Sequence, residues 1–246
     1  MNPDAKMIPK TVHYIWLGGK PKSAFVRMCI NTWRRNLDGY QIVEWNESNL
    51  PLEELSEENC FLKECLRLRL WAFASDYLRL FVLERYGGIY LDTDVEILSS
   101  FDRLLGSSMF VGLEANGYIC TGVIGARANS PEVKRLREYY EHEVWESPVS
   151  NNPVIFRDLM KREPEHFSGC RVLPQAYFAP YELGMPIDST IGKPETIAIH
   201  WYSGNWNMSL RGYVFLNTKH ISRPIPKFVE SCRKTIGYFR QRYLKG

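Results

Sequence analysis

The chain has 246 residues, 45% of them hydrophobic and 24% charged, with a formal charge of +3. This ordinary globular composition excludes a disordered or fibrous protein and makes one sizeable core the simpler expectation. The charge is uneven: from Lys219 onward eight Lys and Arg stand against one acid, Glu230, a net +7, so the rest of the chain sums to −4.

Residues 10–17 (KTVHYIWL) are β-branched and aromatic and close on Gly18-Gly19, which predicts a buried strand. A helix is expected over 23–36, with Phe25, Met28, Cys29, Thr32 and Trp33 on one stripe, then a second strand over 40–45. The strongest helix signal runs over 66–86. That segment lacks Gly and Pro, is apolar nearly all round as a buried helix is, and stops at Gly87-Gly88, suited to a left-handed cap.

Ile89-Tyr90-Leu91 reads as another buried strand. Strands at 109–113, 118–125 and 196–200 and helices over about 131–146 and 152–162 continue the alternation. Such alternation implies an α/β sheet flanked by helices, with ligands beyond the carboxyl ends of the strands. From Pro226, Phe228, Val229, Cys232, Ile236, Phe239 and Tyr243 fall at helical spacing with Arg and Lys between them, a basic amphipathic helix. The expected division is 1–218 as the main domain and 219–246 as a helix appended to it.

No apolar run approaches the roughly 20 residues of a spanning helix, and MNPDAKMIPK lacks the apolar centre of an export signal. Six cysteines, at 29, 60, 65, 120, 170 and 232, form no C-x-x-C pair. A cytoplasmic protein with reduced thiols is therefore expected. The basic tail is a candidate for peripheral contact with an anionic membrane, which would place the chain at the inner face of the plasma membrane. The plainer alternative is a helix packed on the body with a solvated charged face. Nucleic acid is not an expected partner, because the basic residues do not spread over a groove and no RNA-module motif is present.

Three features carry chemistry. Asp92-Thr93-Asp94 alone is weak, since about one chance D-x-D is expected in a chain this long. Its place just after a buried strand strengthens it: alternation sets both carboxylates on one side of the chain, where they repel unless a cation lies between them. Oxygen donors of this kind suit Mn²⁺ or Mg²⁺ held jointly with substrate phosphates. Asp76 and Arg79, three apart on the buried helix, are either a structural ion pair or a carboxylate and a guanidinium fork for sugar hydroxyls or phosphate. His200 opens the loop His200-Trp201-Tyr202-Ser203-Gly204-Asn205-Trp206 after an apolar run. A lone His there is more often structural, yet imidazole is an acceptable Mn²⁺ ligand, and the indoles offer apolar faces. Glu114, near a strand end, is a candidate acid beside the plainer reading of a solvent-exposed Glu.

These residues resemble a known family. The run Ala74-Ser75-Asp76-Tyr77-Leu78-Arg79, followed by Tyr86-Gly87-Gly88-Ile89-Tyr90-Leu91-Asp92-Thr93-Asp94, is similar to the sugar-binding region of glycosyltransferase family 32. The opening Ile8-Pro9-Lys10-Thr11-Val12-His13-Tyr14-Ile15-Trp16-Leu17-Gly18 resembles that family's first strand, and the likeness spans roughly 8–210 in order.

The resemblance implies an α/β, GT-A type fold: one nucleotide-sugar-binding, Rossmann-like domain with a mixed central sheet flanked by helices. It implies a retaining, metal-dependent transferase that moves a hexose or N-acetylhexosamine from a nucleotide-diphosphate sugar to a glycan or lipid-linked glycan acceptor, as in capsular or cell-surface polysaccharide synthesis. Asp92, Asp94 and His200 would be the metal set, for Mn²⁺ or Mg²⁺. Asp76, Arg79, Asp92 and Asp94 would be catalytic, and Ile15, Trp16, Tyr90, Asn205 and Trp206 would join Asp76, Arg79 and Asp92 around the donor. The chain departs from the pattern at Thr121, Trp201 and Asn205. A sugar-nucleotide hydrolase or a nucleotidyltransferase could use the same two-carboxylate site.

Overall fold

The computed structural model describes residues 7–181, 191–203 and 208–243, with backbone alone for 241–243. Strand β1 (Thr11–Ile15) lies between β2 (Gln41–Trp45) and β3 (Gly88–Leu91) and runs parallel to both, with His13 opposite Tyr90. Beyond β3 come β6 (Ile119–Ala126) and β5 (Met109–Leu113), each antiparallel to its predecessor, and β7 (Cys170–Leu173), parallel to β5. The sheet order is thus β2-β1-β3-β6-β5-β7, a mixed sheet. A separate antiparallel pair joins β4 (Val95–Ile97) to β8 (Ala198–His200), with Val95 opposite His200.

Both faces of the sheet are covered. Tyr90, Val111 and Ile124 point into a core built with Tyr77, Leu78, Phe61 and Tyr140. Their neighbours Ile89, Leu91, Phe110 and Val123 point the other way, against Trp33, Val12 and Phe178. Burial on both faces is why these strands read as continuous apolar runs rather than alternating ones.

Helix α1 (Ala24–Asn36) starts at Ser23, whose hydroxyl accepts the Val26 N–H at 3.2 Å. Helices α2 (Leu52–Glu58) and α3 (Cys60–Arg67) meet at Asn59, which caps α3 through the Leu62 N–H at 2.9 Å. The long helix α4 (Trp71–Tyr86) packs against β1, β3, α3 and α5 (Pro131–His142). Then come α6 (Asn152–Arg162), α7 (Leu210–Thr218) and α8 (Pro224–Tyr243).

The expected single helix over 66–86 is two. The chain breaks between Arg67 and Trp71, with Arg69 at φ +56°, and the Leu70 N–H returns to the Cys65 carbonyl at 2.8 Å. No Gly or Pro marks the break. Burial of Leu70 and the packing of α3 back on α4 outweigh helix propensity there. The helix expected over 131–146 stops at His142, where Glu143 turns to meet Arg135 at 2.6 Å. The expected strand at 196–200 is only Ala198–His200.

The stop of α4 is set by sterics. Gly87 and Gly88 sit at φ +64° and +100°, and a Cβ on Gly88 would lie 2.5 Å from the Thr11 carbonyl. Their bareness lets β3 slide in beside β1 directly after the helix.

Candidate metal and donor site

Asp92 follows β3, and its N–H bonds the Gly122 carbonyl of β6 at 2.8 Å. The Asp92 carbonyl accepts the Val95 N–H at 3.0 Å, closing a turn that presents Asp92 and Asp94 and leads into β4. Because β4 pairs with β8, His200 arrives beside that turn, and the Trp201 N–H bonds the Asp94 carbonyl at 3.1 Å. His200 Nε2 lies 3.4 Å from Asp94 Oδ1 and 3.9 Å from Asp92 Oδ2. Its Nδ1 faces the buried Cys120 Sγ at 3.8 Å, so Nε2 is the nitrogen aimed at the carboxylates.

The fit to a cation follows from this donor set. One ligand atom each from Asp92, Asp94 and His200 lie within 4.8 Å of one another. Neighbouring donors on an octahedral Mg²⁺-sized ion sit about 3 Å apart, so a small inward movement suffices. Two carboxylates and an imidazole suit Mn²⁺ better than Ca²⁺. Asp94 is further oriented by Ser203, whose N–H and hydroxyl donate to Oδ2 at 2.8 and 2.9 Å.

Charge locks the set together. Burial by itself would lower the His200 pKa, but Asp94 and Cys120 together outweigh it and hold the imidazole well above its ordinary value. Burial by itself would raise Asp94, yet His200 and Ser203 pull it below the carboxylate range. A second group, Glu114, Cys120 and His200, is equally close-set, but Glu114 already accepts the Tyr202 hydroxyl at 2.8 Å.

Arg79 ties the helix to the metal set. Its Nη2 lies 2.8 Å from Asp76 Oδ1 and 3.2 Å from Asp92 Oδ1, and Nη1 donates to the Thr121 carbonyl at 2.6 Å. The guanidinium carbon stands 4.4 Å from the Tyr90 ring centre, and the Tyr90 hydroxyl donates to Asp92 Oδ1 at 2.8 Å. Asp76 is 4% exposed and Arg79 3%. Asp76 Oδ1 also accepts Asn152 Nδ2 of α6 at 3.1 Å, while its Oδ2 has no protein partner. Burial pushes the Asp76 carboxyl up to about 7 despite Arg79. An orphaned carboxylate oxygen is costly inside a protein and suits a hydroxyl donor from a ligand.

The structure brings together Asp76, Arg79, Tyr90, Asp92, Asp94 and His200, which the sequence set on three separate segments. Ile15 is buried at the end of β1, and Trp16 follows at the same sheet end as Asp92, by the parallel register of β1 and β3. The Trp16 indole N–H is already donated to the Lys20 carbonyl at 2.7 Å. Asn205 and Trp206 lie outside the described residues.

Glu114 is half-buried rather than solvent-exposed, and burial raises its pKa. Tyr202, at φ +47°, packs its ring 4.1 Å from His200, a left-handed conformation rare for an aromatic residue and found here beside the site. Asn152 and Ser203 were missed as partners of the site. Ser203 stood in the loop already singled out; Asn152 gave no signal, because only the fold sets it beside Asp76. Two of the departures have structural roles: Thr121 serves Arg79 through its backbone, and Trp201 donates to Glu96 at 3.0 Å, bracing the β4–β8 pair.

Residues 23–111 match the family model described as a glycosyltransferase sugar-binding region containing a DXD motif. This stretch of the chain, which includes Asp76, Arg79, Asp92 and Asp94, is thus similar to the sugar-binding region of DXD-type glycosyltransferases. It is 24% identical over 224 residues to inositol phosphoceramide mannosyltransferase 3 of Schizosaccharomyces pombe, covering 87% of this chain and 60% of that protein. It is 26% identical over 165 residues to subversion of eukaryotic traffic protein A of Legionella pneumophila, covering 54% of this chain and 25% of that protein. The chain thus spans less than two thirds of the first of these curated relatives and a quarter of the second. Among solved structures, PaToxG glycosyltransferase superposes with a TM-score of 0.52 at 18% identity over 65% of this chain and 71% of that one. That likeness supports the fold, a GT-A type α/β domain.

Proposed function

We propose that the protein is a metal-dependent, retaining glycosyltransferase. Its donor is a nucleotide-diphosphate hexose or N-acetylhexosamine, and its acceptor a glycan or lipid-linked glycan in capsular or cell-surface polysaccharide synthesis. One of the relatives is named for mannosyl transfer to inositol phosphoceramide, which fits a lipid-borne acceptor. The observation that carries the reading is the convergence of Asp92, Asp94 and His200 beside the Arg79 bridge to Asp76.

Asp92, Asp94 and His200 would hold the cation, Mn²⁺ or Mg²⁺. When bound, such an ion supplies Lewis-acid stabilisation of charge on a diphosphate leaving group. The protein's own groups do the rest. Asp76 offers Oδ2 to a sugar hydroxyl, and Arg79 keeps Asp76 and Asp92 in fixed register, a positioning effect worth several kcal/mol. Ile15, Trp16 and Tyr90 line the donor side, and Asn205 and Trp206 are carried on the resemblance alone. Glu114, held by Tyr202, faces the acceptor side. Retention proceeds by same-face substitution, in which the acceptor hydroxyl attacks the anomeric carbon as the phosphate leaves and takes its proton. No protein nucleophile is needed, unlike a retaining glycosidase.

The test is donor binding and hydrolysis across a panel of nucleotide sugars with Mn²⁺, Mg²⁺ or EDTA, for wild type and Asp94→Ala. Turnover of one donor that needs metal and disappears in the variant is the expected result. Failure of a folded, metal-loaded protein to bind any donor refutes it, as does full hydrolysis unaffected by every acceptor tried. A trapped glycosyl–enzyme adduct would refute the same-face route alone.

A further inference from the structure

Helix α8 is docked the wrong way round for a helix in water. Its half-buried side carries Glu230, Ser231, Lys234, Thr235 and Tyr238, and Tyr238 donates to the Met208 carbonyl at 3.1 Å and packs its ring, tilted, 5.5 Å from that of Tyr213. The outer side carries Ile225, Phe228, Val229 and Ile236, which are 77, 70, 60 and 55% exposed, with the exposed Cys232 among them. Their spacing of three and four residues puts them on one continuous stripe. A soluble helix turns such a stripe inward, and a contiguous apolar patch facing solvent marks an interaction surface.

The rim of the stripe decides what covers it. Arg233 and Arg240 are exposed at helical positions beside it, Arg223 is exposed just before the helix, and the one acid from Lys219 to Gly246 is Glu230, on the inner side between Arg233 and Lys234. A second copy of the helix laid along the stripe would set arginine against arginine with no acid to pair. A phosphate-bearing lipid surface satisfies both the apolar stripe and its cationic edge. Among the described residues no helix is long and apolar enough to cross a membrane, so α8 would lie in the interface plane. Lys219, counted in the basic tail by sequence, is not part of this cationic surface, because it is buried, with its ammonium bonded to the Val144 and Ser147 carbonyls.

We propose that α8 is a membrane-docking helix for anionic bilayers, seating Ile225, Phe228, Val229 and Ile236 at the acyl boundary and Arg223, Arg233 and Arg240 among the headgroup phosphates. This surface stands independently of the donor chemistry, so either reading can fail without the other.

The experiment is co-sedimentation of the full chain with phosphatidylcholine vesicles, with and without phosphatidylglycerol, at low and high salt. Wild type is expected to bind the anionic vesicles, and to release as salt rises. At roughly 1 kcal/mol per cationic side chain, Arg233→Gln with Arg240→Gln should weaken partition roughly thirtyfold. Phe228→Asp with Ile236→Asp should abolish it while the thermal melt and donor hydrolysis in solution stay unchanged. Three results overturn the proposal: no binding, equal binding to neutral vesicles, or a wild-type dimer that the Asp pair converts to monomer without any vesicle binding.

Discussion

Replacing Arg79 with Met tests the electrostatic frame of the site more directly than any other change. Met fills a similar volume, so the loss lies in charge and hydrogen bonding rather than in packing. The guanidinium serves Asp76, Asp92 and the Thr121 carbonyl and lies over Tyr90. Removing one partner of a buried ion pair costs about 3–5 kcal/mol, out of a total stability of about 5–15 kcal/mol. In a chain of this length that is a fall in Tm of ~10 °C.

The deficit should also depend on pH. Burial already holds Asp76 at about 7, against an ordinary 3.8, and Arg79 is the main influence pulling it down. Without Arg79 its folded pKa rises further. A carboxyl with a raised folded pKa binds more protons folded than unfolded, so its penalty is absent below the unfolded pKa and grows until pH passes the folded one. At about pH 5.5 Asp76 is largely protonated in both folded proteins; at about pH 8 the wild-type penalty has levelled off while the variant's is still growing, by about 1.4 kcal/mol per unit. Urea unfolding of both proteins at those two pH values measures the difference. A deficit under about 1 kcal/mol, or one equal at both pH values, would refute the picture of a desolvated, charge-matched cluster.

Other consequences follow from the same geometry. A Cβ on Gly122 would meet the His200 ring at 3.0 Å, so Gly122→Ala should displace the imidazole by a few tenths of an ångström and weaken Mn²⁺ binding by about tenfold. Calorimetric titration reads this, and unchanged affinity would show that His200 is not a ligand. His13 is buried, with Nδ1 accepting the Trp45 indole N–H at 3.0 Å and Nε2 on the Gly87 carbonyl at 2.8 Å, and burial lowers its pKa from 6.5 to about 4. Its folded pKa being depressed, the stability it contributes is full above 6.5 and is lost as pH falls through 4, about 3 kcal/mol in all. His13→Gln should flatten acid unfolding in that window; an unchanged slope would mean the proton is taken up elsewhere.

The sequence by itself determined much of the scaffold and the chemical vocabulary of the site. Apolar runs at 10–17, 89–91, 109–113 and 118–125 were legible as strands because a sheet covered on both faces leaves no polar alternation to confuse them. The Gly87-Gly88 stop was legible because only glycine fits both positive φ angles and the contact with β1. The carboxylate pair, Asp76, Arg79 and His200 were singled out by residue type and by position at strand ends.

The tertiary structure decided what those residues do to one another. The break at Arg69 has no local marker, since burial of Leu70 drives it. The short strands Val95–Ile97 and Cys170–Leu173 carry too few residues for a pattern, yet pairing of the first with Ala198–His200 is what delivers His200 to Asp94 across more than 100 residues. Asn152 reaches Asp76, and Ser203 reaches Asp94, only through that packing. The tail shows the same division. Its amphipathic spacing was written in the sequence, but which side faces the body depends on the Tyr213 and Met208 contacts of Tyr238, and these turn the apolar side outward.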